Sequence, residues 1–99
     1  MCQERPKGKM EFEWDSVKAA SNRKKHQVDF HEAATAFGDR LAITFADPDH
    51  SDDEDRYITI GQSRLNRLLI ISYTDRGDDI RIISARKATN AEKKLYEEE

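Results

Sequence analysis

Leu68-Leu-Ile-Ile-Ser-Tyr-Thr-Asp-Arg-Gly-Asp-Asp-Ile-Arg-Ile-Ile-Ser-Ala85 reads as two apolar segments, Leu68–Tyr73 and Ile80–Ala85, split by a polar turn. Their β-branched residues favour a pleated backbone. Gly77 stands in the turn Thr74–Asp78, where a hairpin needs a residue that tolerates positive φ. Two more strand-like segments precede this pair, Leu41–Phe45 and Tyr57–Ile60. Consecutive strands without a long crossover pair antiparallel, so the four predict a meander. Further out, Met10-Glu-Phe-Glu-Trp14 alternates apolar and acidic residues and predicts a half-buried strand.

Helix signals lie on both sides of the meander. Asp15 is a cap for Ser16–His26, a polar helix with Val17, Ala19 and Ala20 facing inward. Asp29-Phe-His-Glu32 has capping-box spacing and opens a short helix closed by Gly38. Thr89-Asn-Ala-Glu92 has the same spacing and opens the last helix. The expected fold class is therefore α+β: a small antiparallel β-sheet with helices packed on one face. The sequence contains no internal repeat.

Ninety-nine residues leave room for one domain. Residues 1–9 mix Pro6, Gly8 and charges without period and are expected to be a disordered N-terminal extension; 10–99 form the domain, with Met10 an alternative start. The longest wholly apolar run, Leu68–Ile71, is far below the roughly 20 residues of a membrane span. MCQERPKGK has no apolar core of a secretory signal, and a lone Cys2 cannot close an internal disulfide. A cytoplasmic protein with no membrane attachment is expected. Its net charge of −3 hides an asymmetry: residues 31–60 hold 2 Lys/Arg against 8 Asp/Glu, while the flanking segments are mildly basic. The acidic total argues against general DNA coating but leaves room for a local basic pocket.

Most nucleophile and metal motifs are missing. The acidic run Asp47–Asp55 lacks the sixth-position glycine and twelfth-position glutamate of a calcium loop, so it reads as a solvated loop that could dock a basic partner. His26, His31 and His50 show no ligand spacing, so no metal is expected. There is no phosphate-cradling glycine loop and no Gly-x-Ser-x-Gly elbow. His26 follows Arg23-Lys24-Lys25 at a helix end, where it serves either the helix dipole or a phosphate and proton-transfer role.

Asp79–Thr89 carries the most chemistry. Alternation puts Arg81, Ile83 and Ala85 on one face and Ile80, Ile82 and Ser84 on the other. Arg81 thus interrupts an apolar strand, either paired with Glu11 or Glu13 or joining Arg86 and Lys87 in an anion site. Phe12, Trp14, Phe30, Phe37 and Phe45 stand at core positions, and Tyr57 and Tyr73 at packing positions on strands. Tyr96 on the last helix either seals the core edge or meets a base.

Phe12-Glu-Trp-Asp15, Lys18, Asn22, Lys25-His26, Val28, Phe30 and Glu32-Ala33 resemble the N-terminal half of the BrnT toxin family. Asp47, Arg56, Ile60-Gly61 and Ile82-Ile-Ser-Ala-Arg-Lys-Ala88 resemble its C-terminal half. The resemblance implies a RelE-like fold and a ribonuclease toxin of a type II toxin–antitoxin pair, cutting RNA without metal or cofactor. It implies a BrnA-like antitoxin as partner, RNA as substrate, and DNA contact only through the antitoxin. It places Arg86 first for phosphate and transition-state stabilisation. Arg81 and Arg64 come second, as charges converging on the same sheet surface. Lys24, Lys25 and Lys87 would hold the RNA backbone, and His26 and Tyr96 would transfer protons or stack on bases. A catalytically inactive binding module, acting only as antitoxin partner and co-repressor, would carry the same charges.

Overall fold

The computed structural model describes residues 11–47, 56–76 and 79–98. The expectations on residues 1–9, on most of the acidic run and on Gly77 lie outside the described residues. The elements are β1 (Glu11–Glu13), α1 (Ser16–His26), α2 (Phe30–Ala36), β2 (Ile43–Ala46), β3 (Arg56–Gln62), β4 (Leu68–Arg76), β5 (Asp79–Lys87) and α3 (Asn90–Glu97). They form one five-stranded sheet in the order β1-β5-β4-β3-β2. β2 to β5 make the antiparallel meander that their order predicts. β1 pairs parallel to β5, Phe12 opposite Ile80, so the sheet is mixed rather than wholly antiparallel. The segment between them, two helices and three strands, is long enough for the crossover that parallel pairing requires.

α1 and α2 pack on one face of the sheet, and their apolar residues make the main core. Val28, Phe30, Ala33 and Ala36 meet Leu69, Ile71, Tyr73, Ile80, Ile82 and Ala85, with Phe12, Trp14, Phe37 and Tyr57 packed against them. Gly61 permits this contact, because a Cβ there would stand 2.7 Å from the Ala36 carbonyl oxygen. Three expectations fail here. Val17 is 75% exposed, Ala20 is exposed and Phe45 is 41% exposed. Of the three expected inward residues only Ala19 turns in, joined by Asn22 at a spacing of three, and Phe45 lies on the edge strand β2 facing away from the core.

Asn22 ties α1 to the sheet. Its side-chain amide donates to the carbonyls of Ala85 (2.9 Å) and Val28 (3.1 Å) and accepts from the Ala85 N–H (3.1 Å). Asp15 caps the helix by accepting from the Val17 and Lys18 N–H groups, which hold its carboxyl below the usual range. Gln27 ends it in the left-handed region at φ 61°.

The strict alternation expected along β5 breaks at Ile83. Ser72 opposes Ser84 but Tyr73 opposes Ile82, so a bulge adds one residue to β5 and reverses the parity beyond it. Ala85 therefore joins Ile80 and Ile82 on the core face. Arg86 points to the opposite face, in the row Ile43–Ile60–Ile70–Arg86. α3 lies on that side, so the helices flank both faces rather than one as expected; Ile60 and Ile70 are buried there, although no residue of α3 itself is. Thr89 and Glu92 complete the expected capping box. No helix among the described residues is long and apolar enough to cross a membrane.

Candidate functional site

Three segments meet at one end of the sheet: the last turn of α1, the β3–β4 turn, and the end of β5. Arg67 in the turn donates from Nη2 to the Gln27 carbonyl just past α1 (3.1 Å), and Lys87 stands opposite Leu69 at the start of β4. Lys24, Lys25 and His26 fall in that last turn of α1, and Arg64 in the β3–β4 turn. Lys24, Lys25, Arg64 and Lys87 are exposed, and none of the five makes a side-chain hydrogen bond or ion pair with another described residue. The Arg64 N–H donates to Thr35 Oγ1 (3.0 Å), fixing the turn against α2 beside a shallow cleft of about 260 Å³.

Beneath these cations lies a buried carboxylate that the sequence marks only as a capping-box and family-motif residue. Glu32 takes Arg67 in a two-pronged pair, Nε to Oε2 (2.9 Å) and Nη2 to Oε1, and accepts from Ser63 Oγ (2.6 Å). The Arg67 hydrogen bonds outweigh burial and hold Glu32 below the usual carboxylate range; Glu32 in turn raises Arg67. Glu32 stands at the third helical position of α2, where capping-box spacing had it reaching back to its own helix. Asp29 caps α2 by accepting from His31 alone, and Glu32 faces inward. Partners 35 positions apart leave no local pattern.

The other candidates separate. Arg81 lies opposite Thr74, six residues along β4 from Leu68, or about 20 Å at 3.3 Å per residue. It stands 3.8 Å from Glu13, and Arg81 and Arg64 do not converge on one surface. Arg86 is paired two-pronged with Glu92, Nη1 to Oε1 and Nη2 to Oε2, both 2.8 Å, and Nη1 also donates to the Lys87 carbonyl (3.2 Å). That pairing, aided by the Thr89 N–H, pulls the Glu92 carboxyl down to about 2. Tyr96 donates to Asp39 Oδ2 (2.6 Å), and holding that proton beside a carboxylate pushes the phenol up to about 12. Asp39 also accepts from the Leu41 and Gln62 N–H groups; against burial, these bonds and that of Tyr96 keep it ionised below its usual range. Among the described residues no three His, Cys, Asp or Glu side chains gather as a metal site would require.

A family model described as the ribonuclease toxin, BrnT, of type II toxin–antitoxin systems matches residues 14–92. The chain belongs to the BrnT family. A crystal structure of the ribonuclease toxin BrnT from Brucella abortus has the same fold, with a TM-score of 0.63 at 23% identity, over 82% of this chain and 99% of that one. No curated protein matches. The BrnT family match spans all the candidates on α1, the β3–β4 turn and β5, and leaves Tyr96 beyond its end.

Proposed function

We propose that this protein is an RNA-cleaving toxin that works in the cytoplasm without a metal ion and is neutralised by a BrnA-like protein antitoxin. The family match over residues 14–92 carries the reading. The cations at the end of the sheet that pair with no other described residue support it, because a phosphodiester chain needs several positive contacts in a row. Lys24, Lys25 and Lys87 hold the RNA backbone, and Arg64 stands over the scissile phosphate. The ribose 2′-oxygen attacks the adjacent phosphorus and the 5′-oxygen leaves, taking a proton from solvent water, to give a 2′,3′-cyclic phosphate and a 5′-hydroxyl. Arg64 offsets the charge that builds on the phosphorane oxygens. His26 accepts the 2′-OH proton as general base. Arg86 and Tyr96 fasten α3, and Arg81 braces β1 through Glu13. Operator DNA is met only through the antitoxin.

The test is induced expression without the antitoxin, following growth and RNA integrity. Wild type should arrest with loss of intact RNA, and Arg64→Ala and His26→Ala should each relieve the arrest while Arg86→Ala retains it. Harmless expression of folded protein would overturn the reading. A second reading, an inactive module that only binds the antitoxin, is favoured by one observation: Arg86 and Tyr96 are both taken up by internal bonds. Harmless expression with antitoxin co-purifying would establish it.

A further inference from the structure

The Glu32–Arg67 pair is built more rigidly than a link between α2 and a turn requires. Glu32 is 4% exposed on its side chain, yet Arg67 retains 30%. Three bonds, two to Glu32 and one to the Gln27 carbonyl, fix the guanidinium from one side through Nε and Nη2. Nη1 has no acceptor among the described residues. It is also open to solvent, since Thr74 Oγ1 is the one buried, unpartnered side-chain polar atom among them. A buried ion pair is a poor way to gain stability, because apolar residues of the same volume do as well. A guanidinium locked at one edge and open at the other suits anion capture, since little rotamer freedom is left to lose on binding. Arg64 lies three residues away in the same turn, and Lys87 stands opposite Leu69, two residues along.

We propose that Arg67 binds a phosphate of the RNA backbone through Nη1 and that Glu32 is its positioning residue. The substrate class rests on the ribonuclease reading above; the anion site does not. Neither group exchanges a proton: Glu32 stays ionised and Arg67 stays charged throughout.

The experiment measures binding of a fluorescent single-stranded RNA oligonucleotide across a salt series, and cleavage kinetics of the same oligonucleotide. Wild type is compared with Arg67→Ala, Arg67→Lys and Glu32→Gln, each first shown to be folded by circular dichroism. Losing one phosphate contact should shrink the Arg67→Ala salt slope by about 0.7. Arg67→Lys should keep the slope, since its charge remains, but lose about tenfold in kcat. Glu32→Gln frees the Arg67 charge while releasing its orientation, so kcat should fall about tenfold with KM unchanged or lower. A purely structural pair would lower the melting temperature and leave both slope and kcat alone, and that result overturns the proposal. If Arg67→Ala does not fold, Arg67→Lys decides: kcat within about twofold of wild type sinks the idea. Salt-dependent RNA binding without cleavage would remove the ribonuclease reading yet still test Arg67 through the slope. No RNA binding by wild type would remove both.

Discussion

The two faces of the sheet are closed by different physics. On one face α2 buries Phe30, Ala33 and Ala36 against Ile71, Ile82 and Leu69, so apolar area holds it. On the other, α3 buries no residue of its own and is fastened by Arg86–Glu92 at its first turn and Tyr96–Asp39 at its last. The contrast teaches that helices of similar length can be held by non-directional burial or by a few directional bonds. Of the two, only the directional bonds between ionisable groups respond to pH.

Breaking the apolar side should have the largest effect. Phe30→Ala leaves a cavity under α2 and should cost about 3–5 kcal/mol, read by chemical denaturation, with the whole fold lost in one transition. A loss below about 1 kcal/mol would mean that α2 is not the chief packing element. The Arg86–Glu92 fastening is smaller, about 1 kcal/mol or less, because Arg86 is 40% exposed and water screens the pair. Glu92 has a folded pKa of about 2 against 4.5, so its contribution is full above pH 4.5 and lost as pH falls towards 2. The stability gap between wild type and Glu92→Gln should therefore be wide at pH 7 and narrow at pH 3; an unchanged gap contradicts the pairing. Tyr96→Phe should cost least, a few tenths to about 1 kcal/mol. Its phenol has a raised pKa of about 12, so this contribution is full below the ordinary value of 10 and fades as pH rises through 12. The ultraviolet titration of wild type minus that of Tyr96→Phe should show one phenol ionising near 12, and ionisation at 10 would deny the bond to Asp39.

Local signals were legible in the sequence wherever the partner was near. α1 occupies Ser16–His26 with Asp15 as its cap, and the Thr89–Glu92 box is formed. All four meander strands lie where β-branched residues cluster; β3 to β5 run up to three residues beyond the expected ends, and β2 starts at Ile43 rather than Leu41. Long-range geometry was not legible. A bulge at Ile83 depends on how β4 and β5 slide past each other, and one extra residue moved Ala85 to the core and Arg86 away from it. Glu32 meeting Arg67, and Asp39 meeting Tyr96, join residues 35 and 57 positions apart, too far apart for any local pattern to announce them. The candidate cations were visible as residue types. Which of them stand free was decided by partners that only the fold brings close.

Asn22 does the work of a missing neighbour. β1 pairs with β5 only as far as Arg81, so the upper half of β5 has an open flank. At Ala85 the Asn22 carboxamide both gives and receives, as the peptide group of another strand would. One side chain thus acts as a length of backbone and closes the flank without offering a new edge to stray chains. Because an amide can satisfy only one peptide in this way, the helix has a single setting against the strand. A shift of one residue would leave both polar groups of Ala85 dry and unmet. The basic turn that ends α1 is held at its place along the sheet by that setting, like a key cut with one tooth.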